Sequence, residues 1–126
     1  MVQITVTPDC GNAPRKQVLR DYVIALVEHD TEALRSAVAD DVEWEIVGAR
    51  TVRGWADFAA AVESAFEQRP ETVRLDSILT HGSEGAVSSR MIFTGRGELR
   101  CCDVYRFSGH SKTAKIKRST SYWIEL

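Results

Sequence analysis

Apolar residues recur along the first half of the chain with a helical period. Leu19, Tyr22, Val23 and Leu26 follow the i, i+3, i+4, i+7 spacing of one buried helix face. Asn12 is placed to cap this helix, with Pro14 in its opening turn, where a missing N–H costs nothing. Asp30 or Thr31 caps a short second helix reaching Ala39, with Leu34, Ala37 and Val38 turned inward. The period then changes to two. Val42, Trp44 and Ile46 alternate with Glu43 and Glu45, which predicts a strand with the apolar set on one face. Gly48 ends that strand, and Arg53-Gly54 leads into a third helix carrying Trp55, Phe58, Ala59, Val62, Ala65 and Phe66, closed by Pro70. Four longer strands follow over about 72–81, 85–95, 98–107 and 113–124, separated by Gly82, Gly95/Gly97 and Ser108-Gly109.

Helices first and a strand meander afterwards predict an α+β domain. The expected shape is a cone: a curved, mixed but mostly antiparallel sheet with three N-terminal helices packed over its concave face. At 126 residues the chain is read as a single domain, 1–126, large enough to fold around its own core. The longest apolar run, Tyr22 to Val27, is far too short to span a membrane, and Met1–Cys10 has neither the basic start nor the apolar core of a leader. Three cysteines, two of them adjacent at 101 and 102, cannot make a paired framework, so free thiols and a cytoplasmic location are expected.

The charge is uneven. Residues 1–85 hold 8 basic and 15 acidic side chains, whereas residues 86–126 hold 8 and 3. A basic second half including Arg106, Lys112, Lys115 and Lys117 could meet nucleic acid. Without interleaved aromatic motifs it reads instead as the solvated face of strands, and no nucleic-acid partner is expected. Nothing matches a phosphate loop, a dinucleotide fingerprint, a nucleophile elbow or a zinc motif, so neither a metal nor a cofactor is expected. His29, His81 and His110 lie far apart and read as surface residues, His81 at a strand end being the one of interest.

Two polar residues interrupt apolar faces. Tyr22 lies in the buried stripe of the first helix, and Asp103 in the inward row Leu99, Cys101, Asp103, Tyr105, Phe107. A buried carboxylate must be paired, hydrogen-bonded or neutralised. An ion pair with Arg118 is one solution, because Ala114, Ile116, Arg118, Thr120 and Tyr122 alternate onto the same face. Tyr22 could equally be a core tyrosine bonded to a backbone carbonyl.

The runs Arg20-Asp21-Tyr22-Val23-Ile24-Ala25-Leu26 and Ala39-Asp40-Asp41, with Asp103-Val104-Tyr105-Arg106-Phe107-Ser108-Gly109, resemble the ketosteroid isomerases. These belong to the nuclear-transport-factor-2-like superfamily, with the SnoaL-like polyketide cyclases. The resemblance implies that Tyr22 and Asp103 are oxyanion-hole donors, Asp103 as a protonated acid kept neutral by an apolar site. It also implies a homodimer. The family's general base, an aspartate five residues after the Ala-Asp-Asp run, falls here on Ile46, and Glu45 is one residue out of phase. Limonene-epoxide-hydrolase-like members use an Arg and two Asp, and Arg90 has no Asp two residues on.

The expected function is therefore a small-molecule-binding SnoaL-like domain with an apolar pocket, with isomerase, cyclase or lyase chemistry on a carbonyl compound as one reading. The other is a non-catalytic ligand-binding or dimerisation module. The expected pocket is a single cavity lined by Tyr22, Trp44, Ile46, Phe58, Val62, Ser89, Met91, Phe93, Cys101, Asp103 and Ile116, with Arg118 at its edge, and the ligand small and apolar or aromatic. The expected dimer face is the outside of the sheet, where Ile92, Val104 and Trp123 lie beside Arg90, Arg106 and Lys117.

Overall fold

In a computed structural model that describes residues 2–7, 14–111 and 113–126, the chain forms ten elements. They are β1 (Gln3–Val6), α1 (Pro14–Glu28), α2 (Thr31–Ala37), β2 (Val38–Ile46), β3 (Arg50–Arg53), α3 (Trp55–Ala65), β4 (Thr72–His81), β5 (Glu84–Phe93), β6 (Gly97–Phe107) and β7 (Ile116–Glu125). Asn12 and Lys112 lie outside the described residues. The seven strands make one sheet in the order β1-β4-β5-β6-β7-β2-β3. The β1–β4 and β2–β7 pairs are parallel and the rest antiparallel, which is the mixed, mostly antiparallel sheet expected. The helices cover its concave side, α1 against β4 and β5, and α3 against β2 and β3.

Local chemistry explains the boundaries. Asp30 caps α2 by accepting from the Ala33 N–H at 3.1 Å. α1 ends with two backbone bonds, Asp30 N–H to the Ala25 carbonyl and His29 N–H to the Leu26 carbonyl, which close orphan carbonyls of its last turn. That geometry puts His29 at φ 56°, a left-handed position where glycine is usual. In β5, Gly85 lets α1 approach the sheet closely: a Cβ there would stand 2.6 Å from the fully buried Leu19.

Several expectations change. β1 and β3 were not legible as strands, being four residues each with mixed burial. α2 stops at Ala37, and β2 takes over at once from Val38, four residues before its apolar alternation begins. The largest correction is in β7. The β6–β7 pairing slips between Arg106 and Phe107, so Arg118 pairs with Arg106 while Ile116 pairs with Phe107. This bulge reverses the side-chain phase beyond Ile116. Ser119, Ser121 and Trp123 face the core, and Arg118, Thr120 and Tyr122 face outward.

Candidate functional site

The inner face of the sheet carries rows fixed by register. One runs Val87, Asp103, Ser121, Ile46 across β5, β6, β7 and β2, and its neighbour runs Gly85, Tyr105, Ser119, Trp44. Asp103 is 6% exposed and is the only carboxylate among the buried described residues. Its stability rests on donors rather than a counter-ion. The Trp123 indole N–H donates to Asp103 Oδ1 at 3.1 Å, and the Ser121 hydroxyl bonds the same carboxyl. Ser121 in turn accepts the Trp44 indole N–H at 2.9 Å, which leaves its own proton for Asp103. Desolvation raises the Asp103 pKa to about 6, against the opposing pull of the Ser121 and Trp123 bonds.

Tyr22 reaches the same cluster from α1. It is 2% exposed and meets Tyr105 edge-on, ring centroids 5.4 Å apart. Burial first, and then the negative charge of Asp103, hold its hydroxyl well above the usual tyrosine range. The same two causes raise Tyr105. Electrostatic contact with both tyrosines places Asp103 among them, although no hydrogen bond joins Asp103 to Tyr22 among the described residues. Tyr22 and Asp103 thus share one side of the sheet, as expected, while Tyr105 adds a second buried hydroxyl.

The other expected site residues divide clearly. Trp44, Phe58, Met91, Phe93, Cys101 and Ile116 are buried in the same core, Val62 joins them from α3, and Ile46 is half-buried against them. They do not line a single cavity. Trp44 packs on Phe58 at 5.6 Å and on Trp123 at 5.9 Å, and Phe66 closes on Trp123 at 5.7 Å. These rings fill the space in which a ligand was expected. Tyr22 instead forms part of the wall of a cavity of about 350 Å³ between α1, α2 and the start of β7, with Val18, Ala25, Ala37, Asp21 and Lys115 around it. Ser89 and Cys101 border a separate hollow reaching the outer face. The buried Ser89 hydroxyl faces Cys101 across the strand pair and hydrogen-bonds its thiol. Burial, with the charge of Asp103, pushes the Cys101 thiol up to about 12, so it is inert as a nucleophile.

Arg118 is the clear misplacement. It sits on the outer face and pairs with Glu43 at 3.5 Å, so it neither enters the site nor neutralises Asp103. The reason is the β7 bulge. The signal was available, because burying an unpaired arginine costs far more than burying Trp123. Ser121 and Trp123 were missed for the same reason. Glu45 faces outward with Glu43, pairing in register with Thr120, and Ile46 holds the inward position. Arg90 is also outward, held by Asp76 through two bonds of 3.0 and 2.9 Å. His29 is not a plain surface residue, since its Nε2 lies 2.6 Å from the Phe66 carbonyl. Among the described residues no group of three or more potential metal ligands comes together, and no helix is long and apolar enough to cross a membrane.

Replacing Trp123 with Phe removes a donor that favours the charged form of Asp103. The carboxyl is expected to titrate higher still, with a loss of about 1–3 kcal/mol in stability at neutral pH. Chemical denaturation with carboxyl NMR checks both effects.

Comparison with known proteins agrees with this geometry. The fold matches an NTF-2-like protein of unknown function from Burkholderia xenovorans LB400, with a TM-score of 0.74 and 16% identity over 90% of this chain and 84% of that one. A candidate ketosteroid isomerase from Kribbella flavida DSM 17836 gives a TM-score of 0.72 and 20% identity, covering 90% and 79% of the two chains. An LEH-like epoxide hydrolase from M. tuberculosis gives 0.64 and 19%, covering 86% and 80%. No curated protein matches the sequence. Residues 19–116 match the model of the SnoaL-like domain, a span from the first buried leucine of α1 to the first buried residue of β7. The chain shares its fold with the NTF2-like proteins and belongs to the SnoaL-like domain family.

Proposed function

We propose that this domain binds a small, mainly apolar compound bearing a carbonyl or phenolic oxygen, held by the Tyr22 hydroxyl and the protonated Asp103 carboxyl. The observation that carries this reading is a lone buried carboxylate, held by neutral donors and within electrostatic reach of a buried tyrosine. A core has no packing reason to hold such a pair, and two donors aimed at one oxygen stabilise a developing enolate or alkoxide. Tyr22 borders a cavity of about 350 Å³, a size within the range of small-molecule sites.

The pH dependence has a defined sign. Asp103 donates only when protonated, so a phenol such as 2-naphthol should bind best below about pH 6. Its affinity should then fall by up to tenfold per unit as pH rises further. Calorimetric titration across this range, with Tyr22→Phe and Asp103→Ala beside the wild type, tests the reading. Binding that ignores pH and both substitutions would count against it.

A second reading has its own observation. Asp103 lines none of the described cavities, and Ile46 occupies the place of the family's base. A non-catalytic binding or dimerisation module fits both facts. The epoxide-hydrolase chemistry named for one structural neighbour is not favoured, because Arg90 points away from the core.

The outer sheet face supports a homodimer with a corrected set of residues. Trp123 is inward, whereas Ile92 and Val104 stay on the outward register and are joined there by Leu79, Tyr122 and Ile124, Tyr122 being 50% and Ile124 62% exposed. Sedimentation at micromolar concentration should give a species of twice the 14.1 kDa chain mass, and Tyr122→Glu should dissociate it. A wild-type monomer under those conditions removes this assembly.

A further inference from the structure

The two helical layers do not close on each other. α1 and α2 pack together, whereas α3 packs on β2 and β3. A cleft of about 460 Å³ remains between the α1–α2 junction and α3, larger than the cavity beside Tyr22 and separate from it. Its apolar lining comes from Leu34, Ala59, Val62 and the indole of Trp55, and its charged or titratable lining from His29 and Glu63. Alanines at 59 and 60 leave the room that larger side chains would fill.

Two features make this more than an accident of packing. His29 occupies a left-handed position where glycine would be free of strain. Its ring is fixed by the bond between Nε2 and the Phe66 carbonyl. A carbonyl oxygen only accepts, so the proton is on Nε2, and a neutral ring keeps Nδ1 as an acceptor. Glu63 is an acceptor as well. The second feature is charge. Residues 28–37 and 55–67, which build both walls, carry six carboxylates against one arginine, a net of −5. Arg35 is paired with Asp40 at 2.7 Å and lies over Trp55, and Arg50 reaches α3 from β3 by donating to the Ala61 carbonyl at 3.4 Å. Such a field concentrates cations and repels anions.

We infer that the cleft between the α1–α2 junction and α3 is a binding site for a small organic cation: an apolar ring body seated on Trp55, Leu34 and Ala59, with its ammonium group at Glu63. It is independent of the Tyr22 and Asp103 site, and neither site depends on the other being occupied.

The probe is phenethylamine, titrated into the isotopically labelled protein and followed by amide chemical shifts, beside phenethyl alcohol and 3-phenylpropionate. The amine should bind with roughly millimolar affinity, reasonable for about nine heavy atoms. Its shifts should centre on His29, Trp55, Ala59 and Glu63, weaken with added salt, and exceed those of the alcohol, with the carboxylate weakest. Glu63→Gln, a change on the exposed side of α3, should weaken the amine about two- to fivefold and leave the alcohol unchanged. Ala59→Leu should block both. Equal binding of amine and carboxylate, shifts centred on Tyr22 and Ala37, or an amine affinity unaffected by Glu63→Gln would each overturn the inference.

Discussion

Asp103→Asn is expected to stabilise the fold at neutral pH by roughly 3 kcal/mol, an unusual sign for a buried polar substitution. In the folded protein the carboxyl holds its proton up to about pH 6, whereas an ordinary carboxylate releases it near 3.8. Between these values the folded state binds more protons than the unfolded state, so wild-type stability falls as pH rises through the window. The protonated form is fully favoured below the lower value, and that advantage is gone above the upper one. Asparagine keeps an acceptor for the Trp123 N–H and cannot ionise, so it escapes the loss. Urea denaturation at about pH 4 and about pH 7 reads the effect: Asp103→Asn should gain stability relative to wild type between the two pH values, the remaining pH dependence, including that of the Arg90-paired Asp76, being common to both. Parallel profiles, or a variant less stable than wild type at both pH values, would show that the carboxylate is accommodated without cost.

The second large effect concerns catalysis. The protein should not isomerise 3-oxo-Δ5 steroids at the rate of the enzymes it resembles. That reaction moves a proton between two carbons and needs a carboxylate within reach of both. Ile46 stands where the resemblance to the ketosteroid isomerases would place that base. Glu45 is turned to the other face, where its neighbour in register is Thr120. The register shows why Ile46 matters: it lies on the row of Asp103 itself, two strands away through Ser121, a spacing of roughly 10 Å. A carboxylate there would oppose the two donors across the width of a small ring system. Positioned proton transfer contributes about 10²–10⁴-fold, and Ile46→Asp should recover a gain of that order in turnover. Steady-state assay of the two proteins side by side is the check. Brisk isomerisation by the wild type would mean that another group supplies the base.

Much of this architecture was legible from periodicity alone. α1, α3 and the four long strands follow from apolar spacing, because each buries one continuous face and no other period fits. The short strands β1 and β3 were not, since four residues at a sheet margin bury too little to leave a pattern. Tyr22 and Asp103 stood out in the sequence because each interrupts an otherwise apolar row. Their partners did not stand out, because a single bulge in β7 exchanged Arg118, Thr120 and Tyr122 for Ser119, Ser121 and Trp123 on the inner face. Strict alternation from Ile116 cannot reveal a bulge. The cost of burying an unpaired arginine could have. The filled interior was also beyond a strand-by-strand reading, because it depends on three indole and phenyl rings from β2, β7 and the end of α3 meeting in three dimensions.

The central proposal is that Asp103, a buried carboxyl titrating near pH 6 beside Tyr22, meets a ligand oxygen in its protonated form. Its most direct test is carbon-detected NMR of the Asp103 carboxyl as a function of pH, with and without 2-naphthol. The account predicts a midpoint near pH 6 and an upward shift when naphthol binds, a ligand-induced shift that Tyr22→Phe reduces by removing the second donor to the ligand oxygen. A carboxyl titrating in the ordinary aspartate range, with a resonance that neither naphthol nor Tyr22→Phe moves, would contradict it.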